Sequence, residues 1–202
     1  MLTATLVTTR DELLQIHRLN QENHRDHLSP EEKDKEGFVS WLYSVELLEQ
    51  LQELAAQVIV KDGDRVVGYA LAALREAAPF HPDLKIMFTH LDSVRYKDRY
   101  LADQSFYVMG QVCIDKDYRG KGVFAQLYQH HREAYSASYD LLVTEISVNN
   151  IRSQKAHEKC GFQTIYTYAD AMDKWNVVLW DWGILFSSLF VAHPEIGPGD
   201  PV

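Results

Sequence analysis

The chain has 202 residues, 46% of them hydrophobic and 24% charged, the proportions of one globular domain that can bury a core without disulfide or metal support. Its 20 Lys and Arg against 29 Asp and Glu leave a net charge of −9 at pH 7, which argues against a nucleic-acid binder and suits either a cationic partner or simply a solvated acidic surface. The two cysteines, Cys113 and Cys160, make neither a disulfide framework nor a zinc spacing, so a reducing, cytoplasmic setting is expected.

The first residues reach Arg10 and Asp11 with no basic segment ahead of a long apolar stretch, so no signal peptide is expected. The most apolar stretch, 177–192, is broken by Asp181 and by Ser187 and Ser188, and no membrane span is expected. Residues 2–8 are apolar and β-branched and predict a strand. Thr9 and Glu12 form a capping-box pattern ahead of a helix through Leu13, Ile16 and Leu19 to about Asn23. Ser29, Pro30, Glu31 and Glu32 make a second helix start, interrupted at Gly37, and Leu48, Leu51 and Leu54 continue a helix that begins near Val45.

Segments 57–61 and 66–74 flank Asp62, Gly63 and Asp64 and predict a β-hairpin. Segment 75–104 reads as irregular, either functional or partly structured, because a loop of that length is unusual inside one domain. Strands are expected at 105–114, 141–148, 162–168 and 174–182, the last closing the sheet, and helices at 120–138 and 151–159. One domain over 1–192 and a tail over 193–202, rich in Pro and Gly, complete the expected organisation.

The informative stretch is 112–124, where a strand ends, a polar turn follows, and Gly120 and Gly122 flank Lys121 as a helix begins. Glycines there let backbone approach a ligand, and the first N–H groups of a helix lack partners and carry about half a positive charge, so phosphate is the natural occupant. Arg119 and Lys121 add charge of the right sign. The spacing is neither a Walker loop nor a dinucleotide fingerprint.

Downstream come Asn150 and Ser153 at an Asn-x-x-Ser spacing, then Glu158, Lys159, Cys160, Gly161 and Phe162. With the Arg119–Gly120–Lys121–Gly122 turn, these residues resemble the GNAT superfamily of N-acetyltransferases over about 107–168. That family carries Gln/Arg-x-x-Gly-x-Gly/Ala on the turn that cradles the coenzyme A pyrophosphate. The chain departs from the pattern at Asp117, in the first motif position, and at Phe124, where relatives often have glycine.

The resemblance implies an α+β fold: a mixed, mostly antiparallel sheet of six to seven strands, splayed between the fourth and fifth and flanked by helices. It implies acetyl-coenzyme A as co-substrate, with no metal. The backbone of Arg119, Gly120, Lys121, Gly122, Val123 and Phe124 would hold the pyrophosphate, and Val112, Cys113 and Ile114 would pair with the pantetheine arm as an added strand would. Asn150 and Ser153 would contact the cofactor, Asn150 also capping its helix. A primary amine would attack the thioester directly, so neither cysteine is needed as a nucleophile. By their offsets from Asn150, Glu145 would be the general base and His157 the general acid, where the branch of the family that acetylates ribosomal-protein N-termini has a glutamate and a tyrosine.

Family acceptor sites use the first two helices, here about 15–50, and the loop 169–173. Glu22, Asp26, Glu31, Glu32, Asp34, Glu36, Asp170 and Asp173 make these segments acidic, which points to a small-molecule or peptide amine, cationic in character. A monomer or a homodimer fits. The competing class is a non-catalytic acyl-coenzyme A sensor. His24 with His27, and the adjacent His130 and His131, read as surface and structural residues rather than metal ligands, and Trp180, Asp181 and Trp182 as core around one edge charge.

Overall fold

Thr9, three residues past the end of the first strand, starts the first helix by the reciprocal bonds its sequence allows: its side chain accepts from the Glu12 N–H, and the Glu12 carboxylate accepts from the Thr9 N–H at 3.0 Å. The computed structural model describes residues 1–29, 31 and 38–183. Within them the chain forms β1 (Leu2–Leu6), α1 (Arg10–Glu22), α2 (Val45–Leu54), β2 (Val58–Asp62), β3 (Arg65–Ala73), α3 (Pro82–Asp92), the small hairpin β4 (Arg95–Tyr96) and β5 (Arg99–Tyr100), β6 (Phe106–Ile114), α4 (Val123–Tyr135), β7 (Leu141–Ser147), α5 (Ile151–Cys160), β8 (Gln163–Ala169) and β9 (Lys174–Asp181). The helix start expected at Pro30–Glu32, its interruption at Gly37 and the tail at 193–202 lie outside the described residues.

The main sheet has seven strands in the order β1-β2-β3-β6-β7-β9-β8. Every neighbouring pair is antiparallel except β6 and β7. The last strand therefore does not close the sheet as expected: β9 inserts between β7 and β8, and β8 is the edge. Its Asp181, expected as an edge charge, accepts from Lys97 Nζ at 2.6 Å and from the Tyr96 hydroxyl at 3.0 Å. Segment 75–104 is structured after all. His81 caps α3 by accepting from the Asp83 N–H, Pro82 sits in the first turn, and Leu84, Phe88 and Leu91 bury one face.

Two apolar layers sandwich the sheet. On one face α1, α2 and α3 pack Ile16, Leu48, Leu51, Phe88 and Leu91 against Val143 and Leu179. On the other, α4 covers Leu142, Ile146 and Val178 with Val123, Leu127 and Tyr128, and Cys160 of α5 packs against the same layer. Successive residues of a strand point to opposite faces, so odd-numbered residues of β7 face α3 and even-numbered ones face α4.

The splay is the feature that makes a site. Strands β6 and β7 pair at Phe106–Leu141, Tyr107–Leu142 and Val108–Val143, and the pairing ends there although each strand continues. Just beyond, Leu71 of β3 faces Gln111 while Ala72 faces Met109, so Gly110 is an extra residue that bends β6. A Cβ on Gly110 would meet the Tyr43 hydroxyl at 2.9 Å, and that buried hydroxyl has no hydrogen-bond partner among the described residues. Gly110→Ala is expected to lower stability by about 1–3 kcal/mol through overpacking. Tyr43→Phe, which removes the obstructing atom, is expected to be near neutral alone and to restore most of that loss. Urea unfolding of the two single variants and the double variant measures the coupling.

Candidate active site

The turn after β6 is built from side chains that hold it open. Asp115 accepts from the Asp117 N–H at 2.9 Å and pairs with Arg65, and the Tyr118 hydroxyl donates to Asp62 at 3.0 Å. Arg119 donates from Nε to the Ile114 carbonyl at 3.0 Å and from its guanidinium to Asn23 Oδ1 at 2.7 Å, so its side chain anchors the turn to β6 and α1. Gly120 and Gly122 then adopt φ of +75° and +80°, a region that favours glycine, and a Cβ at either would meet nothing within 4 Å. Gly122 is the N-cap of α4 and offers no side chain to the first-turn N–H groups, which are left for a ligand. Gly68 lets the same helix end press onto the sheet: a Cβ there would lie 2.8 Å from Val123 Cγ1.

These elements enclose a cleft of about 700 Å³ between the end of β6, the first turn of α4 and one side of α5. Val112, Cys113, Ile114, Arg119, Gly120, Gly122, Val123, Phe124, Asn150 and Ser153 all line it. Lys121 is not among the lining residues; its ammonium lies 5.0 Å from the Tyr118 ring centre. Asn150 caps α5 by accepting from the Ser153 N–H at 3.1 Å and donates across the cleft to the Phe38 carbonyl at 3.2 Å. Sequence reasoning missed Arg152, Lys155 and Lys159, which also line the cleft. Their spacing along α5 places them on one side of a helix, a signal that was readable. No lining residue among those described is acidic, although the chain carries −9. A neutral-to-cationic groove at a helix start whose first N–H groups have no side-chain cap among the described residues fits a polyanionic carrier such as coenzyme A. Burial pushes the Cys113 thiol up to about 12, consistent with a packing residue rather than a nucleophile.

Glu145 stands at the apex of the splay. It follows Val143, the last β7 residue paired with β6, on the same face, and its side chain keeps 14% of its surface exposed. Its Oε1 lies 3.4 Å from His90 Nδ1, and the Tyr168 hydroxyl approaches the same carboxylate. Burial raises the Glu145 proton affinity above the usual carboxylate range, opposed by Tyr168 and His90. Asp170 and Asp173, expected to attract the acceptor, are engaged in the β8–β9 turn: Asp170 accepts from the Met172 and Asp173 N–H groups, and Asp173 accepts from Ser147 and Asn149.

His157, expected as the general acid, is not brought together with Glu145. It lies on the opposite face, 1% exposed, among Phe124, Tyr128 and Phe162. Its Nδ1 lies 2.8 Å from the Ser153 carbonyl, which can only accept, so Nδ1 carries the proton and Nε2 accepts from the Tyr128 hydroxyl at 2.5 Å. Burial lowers its pKa to about 4. The α5 side that carries His157 is turned into the core because Phe162 and α4 cover it.

The acetyltransferase (GNAT) family matches the chain over residues 13–162. Among solved structures, the ribosomal-protein-S18-alanine N-acetyltransferase from Escherichia coli is similar with a TM-score of 0.60 at 13% identity, covering 98% of this chain and 100% of the other. The NatC complex bound to Gag peptide and coenzyme A gives 0.60 at 11%, covering 89% and 98%. A spermidine N-acetyltransferase chimera from Vibrio cholerae SpeG and hSSAT gives 0.56 at 14%, covering 92% and 98%. No curated protein sequence matches the chain. At these identities the structural likeness speaks for the fold, and the family match over most of the chain speaks for descent: the chain belongs to the GNAT family of acetyltransferases.

Proposed function

We propose that the protein transfers an acetyl group from acetyl-coenzyme A to a primary amine by direct attack, without an acyl-enzyme. The cleft at the N-terminus of α4 carries this reading: glycines at positive φ, unpaired N–H groups and the Lys155 and Lys159 ammonium groups suit the phosphates, while β6 runs from there to the splay where Glu145 stands. The acetyl donor supplies an activated carbonyl at that apex. Glu145 takes a proton from the acceptor ammonium, so the lone pair becomes available. Backbone groups of Val112 and Ile114 fix the donor as an added strand would. A cationic acceptor is favoured because the carboxylate it meets is the buried one at the apex, and a small-molecule amine and a peptide amine both meet that requirement.

Titration calorimetry with acetyl-coenzyme A, paired with thiol release over a panel of amines, tests the reading. Binding with turnover of at least one amine is expected; no heat and no release would end it. Gly122→Val, which forces a branched side chain into a left-handed backbone at a cost of about 1–3 kcal/mol, is expected to weaken coenzyme A binding about tenfold or more. A second reading, a non-catalytic acyl-coenzyme A sensor, is favoured by the burial of His157 away from the apex, and it requires binding without release for any amine.

A further inference from the structure

Glu145 meets a side chain that none of the motifs contains. His90 sits in the last turn of α3, within the segment 75–104 that separates β3 from β6. Its Nδ1 is 3.4 Å from Glu145 Oε1, and its ring lies on Tyr168 with centres 3.9 Å apart and near Tyr166 at 5.9 Å. The His90 side chain keeps 26% of its surface exposed against 14% for Glu145, so the imidazole touches the carboxylate and also reaches water.

Proton stoichiometry gives this position a task. A cationic amine, R–NH3⁺, loses two protons on becoming an amide. One ends on the departing thiol and the other must reach solvent in every turnover. Glu145, once protonated, cannot serve again until it has passed that proton on. We propose that His90 is a positioning and proton-accepting residue for Glu145, receiving the proton taken from the acceptor ammonium and releasing it to water. This rests on the acetyl-transfer reading above.

The transfer runs from Glu145 Oε1 to His90 Nδ1, and the resulting imidazolium gives its Nε2 proton to water; proton exchange with water then moves the remaining proton from Nδ1 to Nε2, so that Nδ1 is free to accept in the next turnover, and O–H and N–H bonds are the bonds exchanged. From the facing elements, Tyr166 and Tyr168 of β8 pack on the ring, and Asp170 of the following turn adds a negative charge that favours proton uptake by Glu145.

The test uses the full chain with saturating acetyl-coenzyme A and a primary amine that the wild type acetylates, from pH 6 to 9.5. His90→Ala is expected to lower kcat by about 10- to 100-fold with little change in KM for the amine, and added imidazole is expected to restore the rate in a saturable way. Its acid limb of kcat/KM should move to higher pH, because His90 opposes protonation of Glu145 and that opposition is gone. His90→Phe keeps a ring on Tyr168 and cannot carry a proton; it is expected to be as slow as His90→Ala and insensitive to imidazole. Tyr166→Phe serves as a packing control at close to the wild-type rate. A His90→Phe variant at full rate, or a His90→Ala variant with full rate and an unmoved pH profile, overturns the inference while leaving acetyl transfer intact. A slow His90→Ala variant that imidazole does not rescue and whose acid limb stays in place also overturns it, since packing alone would then explain the loss. A wild type that transfers acetyl to no amine overturns the proposed function and this inference with it.

Discussion

Glu145→Gln is expected to lower kcat for acetyl transfer by about 10²- to 10⁴-fold, the usual contribution of a positioned general base, with coenzyme A affinity changed by no more than about twofold. The separation follows from geometry: Glu145 lies at the apex and not among the residues lining the carrier cleft. The loss should depend on the acceptor. A lysine-like amine must be deprotonated from a pKa of about 10.4, an uphill step of about 4.6 kcal/mol at pH 7, whereas an α-amine near 7.8 needs about 1 kcal/mol. A base therefore matters more to the first, and raising the pH should recover more of its rate. Burial raises the Glu145 proton affinity, so the acid limb of the wild-type profile is expected above the ordinary carboxylate range and should vanish in Glu145→Gln. Steady-state thiol release with one amine of each kind, at several pH values, decides it; equal small losses for both would remove Glu145 from the chemistry.

Much of this site was legible because its signals are local. A capping box at Thr9, glycines at 120 and 122 ahead of a helix, and Asn150 three residues before Ser153 each describe a few neighbouring backbone groups, and the structure forms each of them. What could not be read depends on distant pairing. The insertion of β9 between β7 and β8 and the extra residue at Gly110 are set by which strands meet. The offset of His157 from Asn150 matched a catalytic position, but the offset says nothing of what covers that side of α5; Tyr128 and Phe162 decide it from elsewhere in the chain. Helix α3 was different. Leu84, Phe88 and Leu91 carry helical spacing and Pro82 a start signal, yet the prolines and mixed charge around them read as a loop, and His90 was lost with the helix.

Acid should destabilise this protein over two overlapping pH ranges, the first opening near pH 6.5. His131 and His157 are both buried and neutral, with pKa values lowered to about 4, and burial is the main cause in each. Each ring donates to a backbone carbonyl, Ala70 for His131 and Ser153 for His157, and accepts from a tyrosine hydroxyl, Tyr107 or Tyr128. Protonation would turn the accepting nitrogen into a donor and leave a charge in an apolar layer. In the unfolded chain both histidines bind protons below about 6.5, while the folded chain resists until about 4. Stability is therefore full above 6.5 and is lost as pH falls toward 4, by on the order of 3 kcal/mol per histidine. Glu12 adds the second range. Held down to about 2 by bonds from Lys61, Thr8 and Thr9, its carboxylate stabilises the fold above its unfolded value of 4.5, and that contribution disappears as pH falls further. Urea unfolding between pH 7.5 and 4.5 should give a free energy falling by about 1.4 kcal/mol per pH unit for each histidine that titrates in the unfolded chain alone. Replacing His131 by Gln, which can still donate to Ala70, is expected to lower stability at pH 7.5 but to flatten the acid slope by close to one proton. A stability that stays level from pH 7 to 5 in the wild type would mean that these imidazoles take up protons as readily inside the fold as outside it, and would refute the packing described for both.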